Sequence, residues 1–484
     1  MPHLVWFRSD LRMHDNAALH EAAKDPATPV VGVFLLAPDQ WKEHDWAPVK
    51  VDLILRTLAD LSRSLAEKNI PLVVRRGERF SDAAAELLKV AREHGCTTLF
   101  FNREYEVNER RRDEQVIGAF TDAGLSARAY DDQTVLAPGS VLTKEGRAYT
   151  VFTPFKKAWI AKVQSVGGVH VLPAPRARST MACASDPVPL SLSEFEGLTR
   201  PDLWPSGEKH AQARLRDFVA KRIDRYKEQR DFPGINGTST LSPYLSIGAI
   251  SPRQCIAAAL DANDGKYDSG SPGVVHWISE VVWREFYRHL ISAFPRLCMC
   301  RAFKPETERI RWRDDDEGFA AWCEGRTGVP IVDAAMRQLT RTGWMHNRLR
   351  MITAMYLTKD LFIDWRRGEK FFMQHLVDGD LAQNNGGWQW SASTGTDSAP
   401  YFRIFNPVSQ SRTFDPTGNF IRKFVPELKD LDDDSIHEPW TLPMLLKGPL
   451  DYPAAPVADH SKARTRVMEA FRAVSPANAS PAKK

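Results

Sequence analysis

Between His3 and Tyr130 short β-rich apolar runs recur: HLVWF, VVGVFLLA at 30–37, PLVV at 71–74, CTTLFF at 96–101 and LSARAY at 125–130. The stretches between them repeat their apolar residues at helical spacing, as at 49–67 and at 81–94, where Ser81 is the expected cap with Asp82 beside it. Strand and helix alternating in this way predict an α/β fold, a doubly wound parallel sheet domain over 1–130. Ligands of such sheets sit at the carboxyl ends of the strands, yet neither GxGxxG nor GxxxxGK[ST] occupies that place. Whatever this domain binds is held by other means.

From 131 to 206 the periodicity fades and proline, serine and alanine accumulate, which reads as a long connector. Its segment YTVFTPFKKAW, 149–159, is aromatic enough to pack on a domain. After Gly207 helix follows helix. Residues 208–231 read as one amphipathic helix with Leu215, Phe218, Val219, Ile223 and Tyr226 along a stripe, and further patterns fall at 252–260, 274–291, 331–340, 344–356 and 368–376. An all-helical domain over 207–472 and a disordered tail at 473–484 complete the expected organisation.

The stretch 377–407 stands apart, because Asp378, Asp380, Asn384, Trp388 and Trp390 crowd a run with few aliphatic residues. Gly386 and Gly387 are expected to break any helix there, and the mixture of polar groups and indoles suits a planar, hydrogen-bonding ligand. Three other segments offer polar faces. On the helix at 274–291, Trp277, Glu280, Trp283 and Arg284 are neighbours, which an internal ion pair between core tryptophans explains equally well. At 344–356, Asn347, Arg350 and Met351 share a face. The hydroxyl-rich GTSTLS at 237–242 suits phosphate oxygens, and it equally suits simple capping. Asp378 and Asp380 lack a third carboxylate at calcium-loop spacing, so an arginine partner such as Arg350 is expected and no metal.

Composition narrows the picture further. With 484 residues, two or three domains are expected, and no apolar run is long enough to cross a bilayer. The chain enters directly as HLVWF without a leader pattern, which predicts a cytoplasmic protein. The six scattered cysteines fit neither zinc spacing nor a disulfide framework. Net charge is only +4, with 18 Lys and Arg against 20 Asp and Glu in 1–130 and 47 against 41 beyond, so charge alone does not identify a nucleic-acid binder.

Taken together, LVWFRSDLRMHDNAAL, YKEQRDFP, GTSTLSPYLSIGAISPRQ, WREFYRHL, TGVPIVDAAMRQL, TGWMHNRLRM, DGDLAQNNGGWQWSASTGTDSAPYFRIFNP and DYP resemble the photolyase and cryptochrome family, within it the class I bacterial branch with a folate antenna. The resemblance spans nearly the whole chain. It implies FAD bound by Tyr226, Arg230, Thr238, Ser239, Thr240, Leu241, Ser242, Trp277, Arg284, Asn347, Arg350, Asp378, Asp380 and Asn384. Position 240 often holds Arg or Gly in the family; here it is Thr. The implied reaction is light-driven repair of cyclobutane pyrimidine dimers in single- or double-stranded DNA by a monomer. An excited reduced flavin donates an electron to a flipped-out dimer and recovers it after ring splitting.

By the same resemblance Glu280, Trp283, Asn347, Arg348, Met351 and Trp390 meet the lesion or its backbone. Trp388, Trp365 and Trp312 match a chain that carries electrons to oxidised flavin. His44, Asn108, Glu109 and Cys298 match positions that hold 5,10-methenyltetrahydrofolate, although Met299 stands where a lysine is usual. Two other family members come into question, a blue-light receptor of the cryptochrome type and a six-four photoproduct photolyase. Trp390, Asn384, Glu280 and Met351 favour dimer repair, and His346 is alone where six-four enzymes carry paired histidines.

Overall fold

The computed structural model describes residues 1–179, 183–443 and 451–474. Two compact units divide it: Met1–Lys227 with Ser239–Cys298 and Val377–Asp380, and Glu228–Thr238 with Met299–Leu376 and Leu381–Lys484. The expected tail lies outside the described residues from 475 on. The fold is α/β in its N-terminal part and helical in its C-terminal part.

In the first unit, β1 (His3–Phe7), β2 (Val30–Leu36), β3 (Leu72–Arg76), β4 (Thr98–Asn102) and β5 (Ser126–Tyr130) form one sheet in the order β3-β2-β1-β4-β5, every pair parallel. The inner strands β1, β2 and β4 are almost wholly buried because helices cover both faces, whereas the edge strands β3 and β5 carry polar residues that reach water. Strand order reverses between β1 and β4, where a doubly wound sheet ordinarily opens a ligand crevice. Here the protein's own ions fill it. Arg8 donates to Asp113 at 2.5 Å, Arg112 pairs with Glu104 at 2.8 Å, and Asn102 donates to Asp10 at 2.6 Å. This network explains why no phosphate-binding glycine motif follows β1.

Two local expectations need correction. Ser81 caps nothing: Phe80–Asp82 is a 3₁₀ turn leading into helix Ala83–Glu93, and the Asp82 carboxylate accepts from the Arg79 N–H at 3.0 Å. The single helix expected at 208–231 is three pieces, Glu208–Lys221, a 3₁₀ turn Ile223–Arg225 and Tyr226–Gln229. The shift in periodicity at Arg222 still buries Leu215, Phe218, Ile223 and Tyr226.

Residues 149–159 pack as their aromatics require. Helix Phe152–Ser165 buries Phe152, Phe155 and Trp159, and the Trp159 indole donates to Glu285 Oε1 at 2.6 Å. The same carboxylate accepts from the Val135 and Leu136 N–H groups at 2.7 and 2.9 Å, anchoring helix Pro272–Ala293. Gly248, at φ +69°, lies against the Ser9 carbonyl, so any Cβ there collides with backbone.

The second unit is built from helices Pro330–Thr342, Asn347–Met355, Trp365–Met373 and Leu381–Ala392, with a π-helical turn at Tyr356–Asp360. Gly386 and Gly387 do not break a helix, contrary to expectation; both lie inside Leu381–Ala392. Each glycine costs about 1 kcal/mol relative to alanine. Burial of Ala382, Asn385, Trp388, Gln389 and Ala392 holds the helix against that cost. No described helix is long and apolar enough to cross a membrane.

Candidate cofactor and substrate sites

In the first unit, Tyr226 and Trp277 converge on Phe218, with ring centroids 5.8 and 5.2 Å from it, so residues fifty positions apart line one aromatic patch. Arg284 projects from the same helix as Trp277 and donates to the Gln133 and Leu245 carbonyls at 2.7 and 3.2 Å. Those bonds fix its guanidinium, while burial and the neighbouring Arg288 disfavour its charge. Glu280 lies 3.6 Å from the His276 ring on the next turn. Trp283 is stacked flat on Phe152, with centroids 3.8 Å apart and planes within 9°.

The hydroxyl run is held in an unusual backbone shape. Thr240 has φ +49°, a left-handed conformation costing on the order of 1 kcal/mol in a β-branched residue. Its hydroxyl donates to the Ser239 carbonyl at 2.8 Å and accepts from Arg214 Nη1. Leu241 is buried, and Ser242 opens a helix of only five residues, too short for its dipole to matter much. Hydroxyls and the Arg214 charge are therefore the anion-binding features here.

The Val377–Asp380 turn belongs to this unit and is clamped at two points. Lys50, buried in helix Pro48–Ala66, donates to the Gly379 carbonyl at 2.7 Å and sits 4.0 Å over the Trp46 ring. Burial brings the Lys50 amine down to about 8, opposed by Asp380. Arg288 pairs with Asp380 and reaches Glu106 at 3.2 Å. Asp380 thus has an arginine partner in Arg288, four residues beyond the Arg284 picked out in the sequence and other than the Arg350 that was expected. Among the described residues no group of three or more His, Cys, Asp or Glu is arranged for a metal.

In the second unit, His346 caps helix Asn347–Met355 by accepting from the Arg348 N–H at 3.2 Å. Burial pulls its imidazole down to about 4, so it is neutral. Asn347 is exposed, Arg350 and Met351 are half-buried, and Arg350 Nε donates to the Met345 carbonyl at 2.8 Å. Arg348 is engaged by Asp231 at 2.9 Å and by the Phe414 ring at 4.3 Å; Asp231 also lies 3.5 Å from Arg230. Asn384 Nδ2 donates to the Glu369 carbonyl at 2.9 Å, leaving its amide oxygen as the group that can face a ligand. Asn385 and Gln389 continue this network through the Glu369 carboxylate at 2.9 Å.

Trp388 and Trp365 belong to the same buried apolar cluster, and Trp312 packs against it, half-buried. Trp388 lies against Gly368, where a Cβ would collide with the indole and with Leu357. Its ring is 5.0 Å from Phe372 and 6.0 Å from Trp322, and its buried N–H has no hydrogen-bond partner among the described residues. Trp390, two residues on and so towards the opposite side of the same helix, is half-buried.

The four positions matched to an antenna come together in the first unit. His44 ends helix Pro38–Glu43, Asn108 and Glu109 open helix Val107–Asp122, and Cys298 lies in the turn Pro295–Met299. Amides of Asn108 and Gln40 donate to His44 Nε2 at 3.1 and 3.2 Å, so the ring proton is on Nδ1, 3.4 Å from Glu109 Oε1. Burial, then Lys50 and Arg112, lower the imidazole to about 4. Burial and the neighbouring Glu106 and Glu104 raise Glu109 to about 8. Cys298 is pushed up to about 12 by burial. At neutral pH this is a set of uncharged donors and acceptors, suited to the hydrogen-bonding edge of a heterocycle.

Several contributors had weak sequence signals. Arg288 repeats Arg284 one turn on, and Phe152 sits in the aromatic run at 149–159. Lys50, Arg214 and Glu369 act through contacts distant in sequence.

Residues 277–473 match the family described as FAD binding domain of DNA photolyase, and residues 3–176 the one described as DNA photolyase. The chain is similar to the deoxyribodipyrimidine photo-lyase of Escherichia coli strain K12, 46% identical over 97% of this chain and 98% of that one. Similarity to the deoxyribodipyrimidine photo-lyase of Neurospora crassa is 39% identity over 96% of this chain and 81% of the other. Among solved structures, a bacterial class III photolyase from Agrobacterium tumefaciens has a TM-score of 0.87 at 36% identity, covering 98% of this chain and 97% of that one. A Synechocystis cryptochrome has a TM-score of 0.86 at 27% identity, covering 97% and 99%.

Proposed function

Because the chain belongs to the DNA photolyase family, we propose that it is a deoxyribodipyrimidine photo-lyase, repairing cyclobutane pyrimidine dimers in DNA with light, as a monomer in the cytosol. The observation that carries this reading is the 46% identity to the Escherichia coli enzyme over nearly the full length of both chains. When bound, FAD supplies the photoexcited electron that opens the dimer and accepts it back afterwards.

The donors present fit that cofactor. Tyr226 and Trp277 offer apolar walls, Ser239, Thr240 and Ser242 offer hydroxyls to phosphate, and Arg284, Asp378 and Asp380 are fixed polar groups. The family resemblance adds Arg230, Thr238, Asn347, Arg350 and Asn384 to the residues that would hold it. Asn384 has committed its N–H to Glu369, so its oxygen is an acceptor for a protonated ring nitrogen.

Trp283 and Trp390 pack against the flipped-out dimer, each contributing ~1–3 kcal/mol if it stacks as aromatic platforms do on single strands. The Phe152 stack holds the Trp283 plane in advance, so little side-chain entropy is lost on binding. Glu280 and Asn347 contact the bases, Met351 their apolar edge, and Arg348 the backbone. Trp388, Trp365 and Trp312 carry electrons inward from the surface. The neutral set His44, Asn108 and Glu109 with Cys298 holds methenyltetrahydrofolate as antenna, without the basic side chain that Met299 replaces. An absent folate band after reconstitution overturns that assignment.

His346 is a neutral, buried helix cap, which argues against a histidine-based six-four reaction. The decisive experiment illuminates the reduced protein with an oligonucleotide carrying one dimer and follows recovery of the thymines. Absence of repair with the flavin fully reduced overturns the reading.

A further inference from the structure

Arg214 lies on helix Glu208–Lys221, beside the face that buries Ala211, Leu215 and Phe218, and is itself half-buried. Among the described residues no carboxylate lies within ion-pair distance of it. Further along the chain, Lys221 and Arg222 share Asp217 at 2.6 and 2.9 Å. Instead, the Arg214 guanidinium sits 5.6 Å over the Tyr244 ring and donates through Nη1 to the Thr240 hydroxyl. Tyr244 is itself fixed by donation to the Pro205 carbonyl at 2.8 Å, so the guanidinium rests on a rigid plane.

A half-buried guanidinium without a counter-ion loses part of its hydration unrepaid, and its five N–H donors match the oxygens of a carboxylate or phosphate. Beside it, Ser239, Thr240 and Ser242 supply hydroxyls, and Thr240 holds a left-handed backbone that brings its side chain to Arg214. Hydroxyls beside a guanidinium select a phosphate over a carboxylate, since the surplus of donors suits an anion with more acceptor oxygens. We infer that Arg214 is a phosphate ligand, binding the diphosphate of the flavin dinucleotide together with the hydroxyls of the 239–242 run. This rests on the reading that the chain holds FAD. The cation that Thr240 does not carry is thereby brought by a neighbouring helix.

The test strips the full-length chain of flavin, titrates FAD back and repeats the titration over a range of salt concentrations. Arg214→Gln is expected to weaken FAD binding about tenfold and to flatten its salt dependence. Arg214→Lys is expected to recover most of both, because an ammonium also binds phosphate as a point charge. If Arg214→Gln binds FAD within twofold of the parent and with the same salt dependence, the assignment is wrong. It is also wrong if both variants weaken binding equally with the salt dependence unchanged, which marks a purely structural role. A parent chain that takes up no FAD overturns the flavin reading itself, and the assignment with it.

Discussion

Glu109, with the half-buried His44 beside it, and the buried tryptophan cluster keep water away by opposite means. Around His44 the residues are ionisable, and burial suppresses their charges: the carboxyl keeps its proton and the imidazole loses its own. Around Trp388 indoles and phenyl rings fill most of the space, and among the described residues its N–H is left without a partner. A site made of neutralised acids and bases is sensitive to pH and tolerant of shape. A site made of close-packed rings is sensitive to volume and indifferent to pH.

The largest predicted effect tests the first half of that contrast. Between about pH 4.5 and 8 the native state retains the Glu109 proton that the unfolded chain has lost, so stability falls as pH rises through this window. Over the full shift the loss reaches about 5 kcal/mol. His44 acts in the other direction: between about pH 4 and 6.5 the unfolded chain binds a proton that the native imidazole refuses, so stability rises with pH. The two slopes offset each other up to about pH 6.5 and leave the Glu109 loss unopposed from there to about 8. Glu109→Gln is expected to stabilise the chain by up to about 5 kcal/mol above pH 8, with the gain vanishing below pH 4.5. Urea denaturation across pH measures it; parallel curves for parent and variant contradict the neutral-cluster account.

Volume should dominate in the second cluster. Gly368→Val places methyl groups where Trp388 and Leu357 already are, and overpacking of this kind costs about 2–3 kcal/mol. The loss should be the same at pH 6 and pH 8, and near-ultraviolet circular dichroism should report the displaced indole. A pH-dependent loss would break the contrast.

Electron supply sharpens the same comparison at smaller energies. Trp312→Phe removes the half-buried indole at the edge of the cluster and is expected to slow photoreduction of oxidised flavin by about tenfold or more, ~1.4 kcal/mol in barrier terms. Trp322 touches Trp388 more closely than any other indole with a measured ring contact, but it is fully buried and donates to the Thr353 carbonyl at 3.1 Å. Without access to a reductant at the surface, Trp322→Phe should leave the rate within twofold. Equal effects from the two variants would remove Trp312 from the route.

All five strands and their parallel pairing were legible because continuous apolar runs and the alternation with helices pointed the same way. The helix Leu381–Ala392 was not legible, because Gly386 and Gly387 oppose it locally and only tertiary burial of Trp388 and Gln389 restores it. The sites divide along the same line. The motif at 378–390 and the faces at 277–284 and 347–351 stood out in spacing only as candidates, and the roles came from the resemblance. The clamps on the 377–380 turn could not, since Lys50 and Gly379 are joined only by the folded chain. Unusual protonation at His44 and Glu109 was equally invisible, being a property of burial and not of residue type.

The smallest predicted effect concerns a misread local signal. Ser81 has the residue type of a helix cap, but its hydroxyl donates to Asp82 Oδ1 at 3.3 Å and accepts from no N–H at the helix start. The bond that matters runs from the Arg79 N–H to Asp82 Oδ2 at 3.0 Å, closing the 3₁₀ turn that leads into Ala83–Glu93. Asp82→Ala should therefore cost about 1 kcal/mol, the usual value of a lost cap, whereas Ser81→Ala should cost no more than about 0.3 kcal/mol. Denaturant midpoints at constant m-value separate the two. If Ser81→Ala proves the costlier change, capping here follows residue type after all, and the carboxylate bond contributes little.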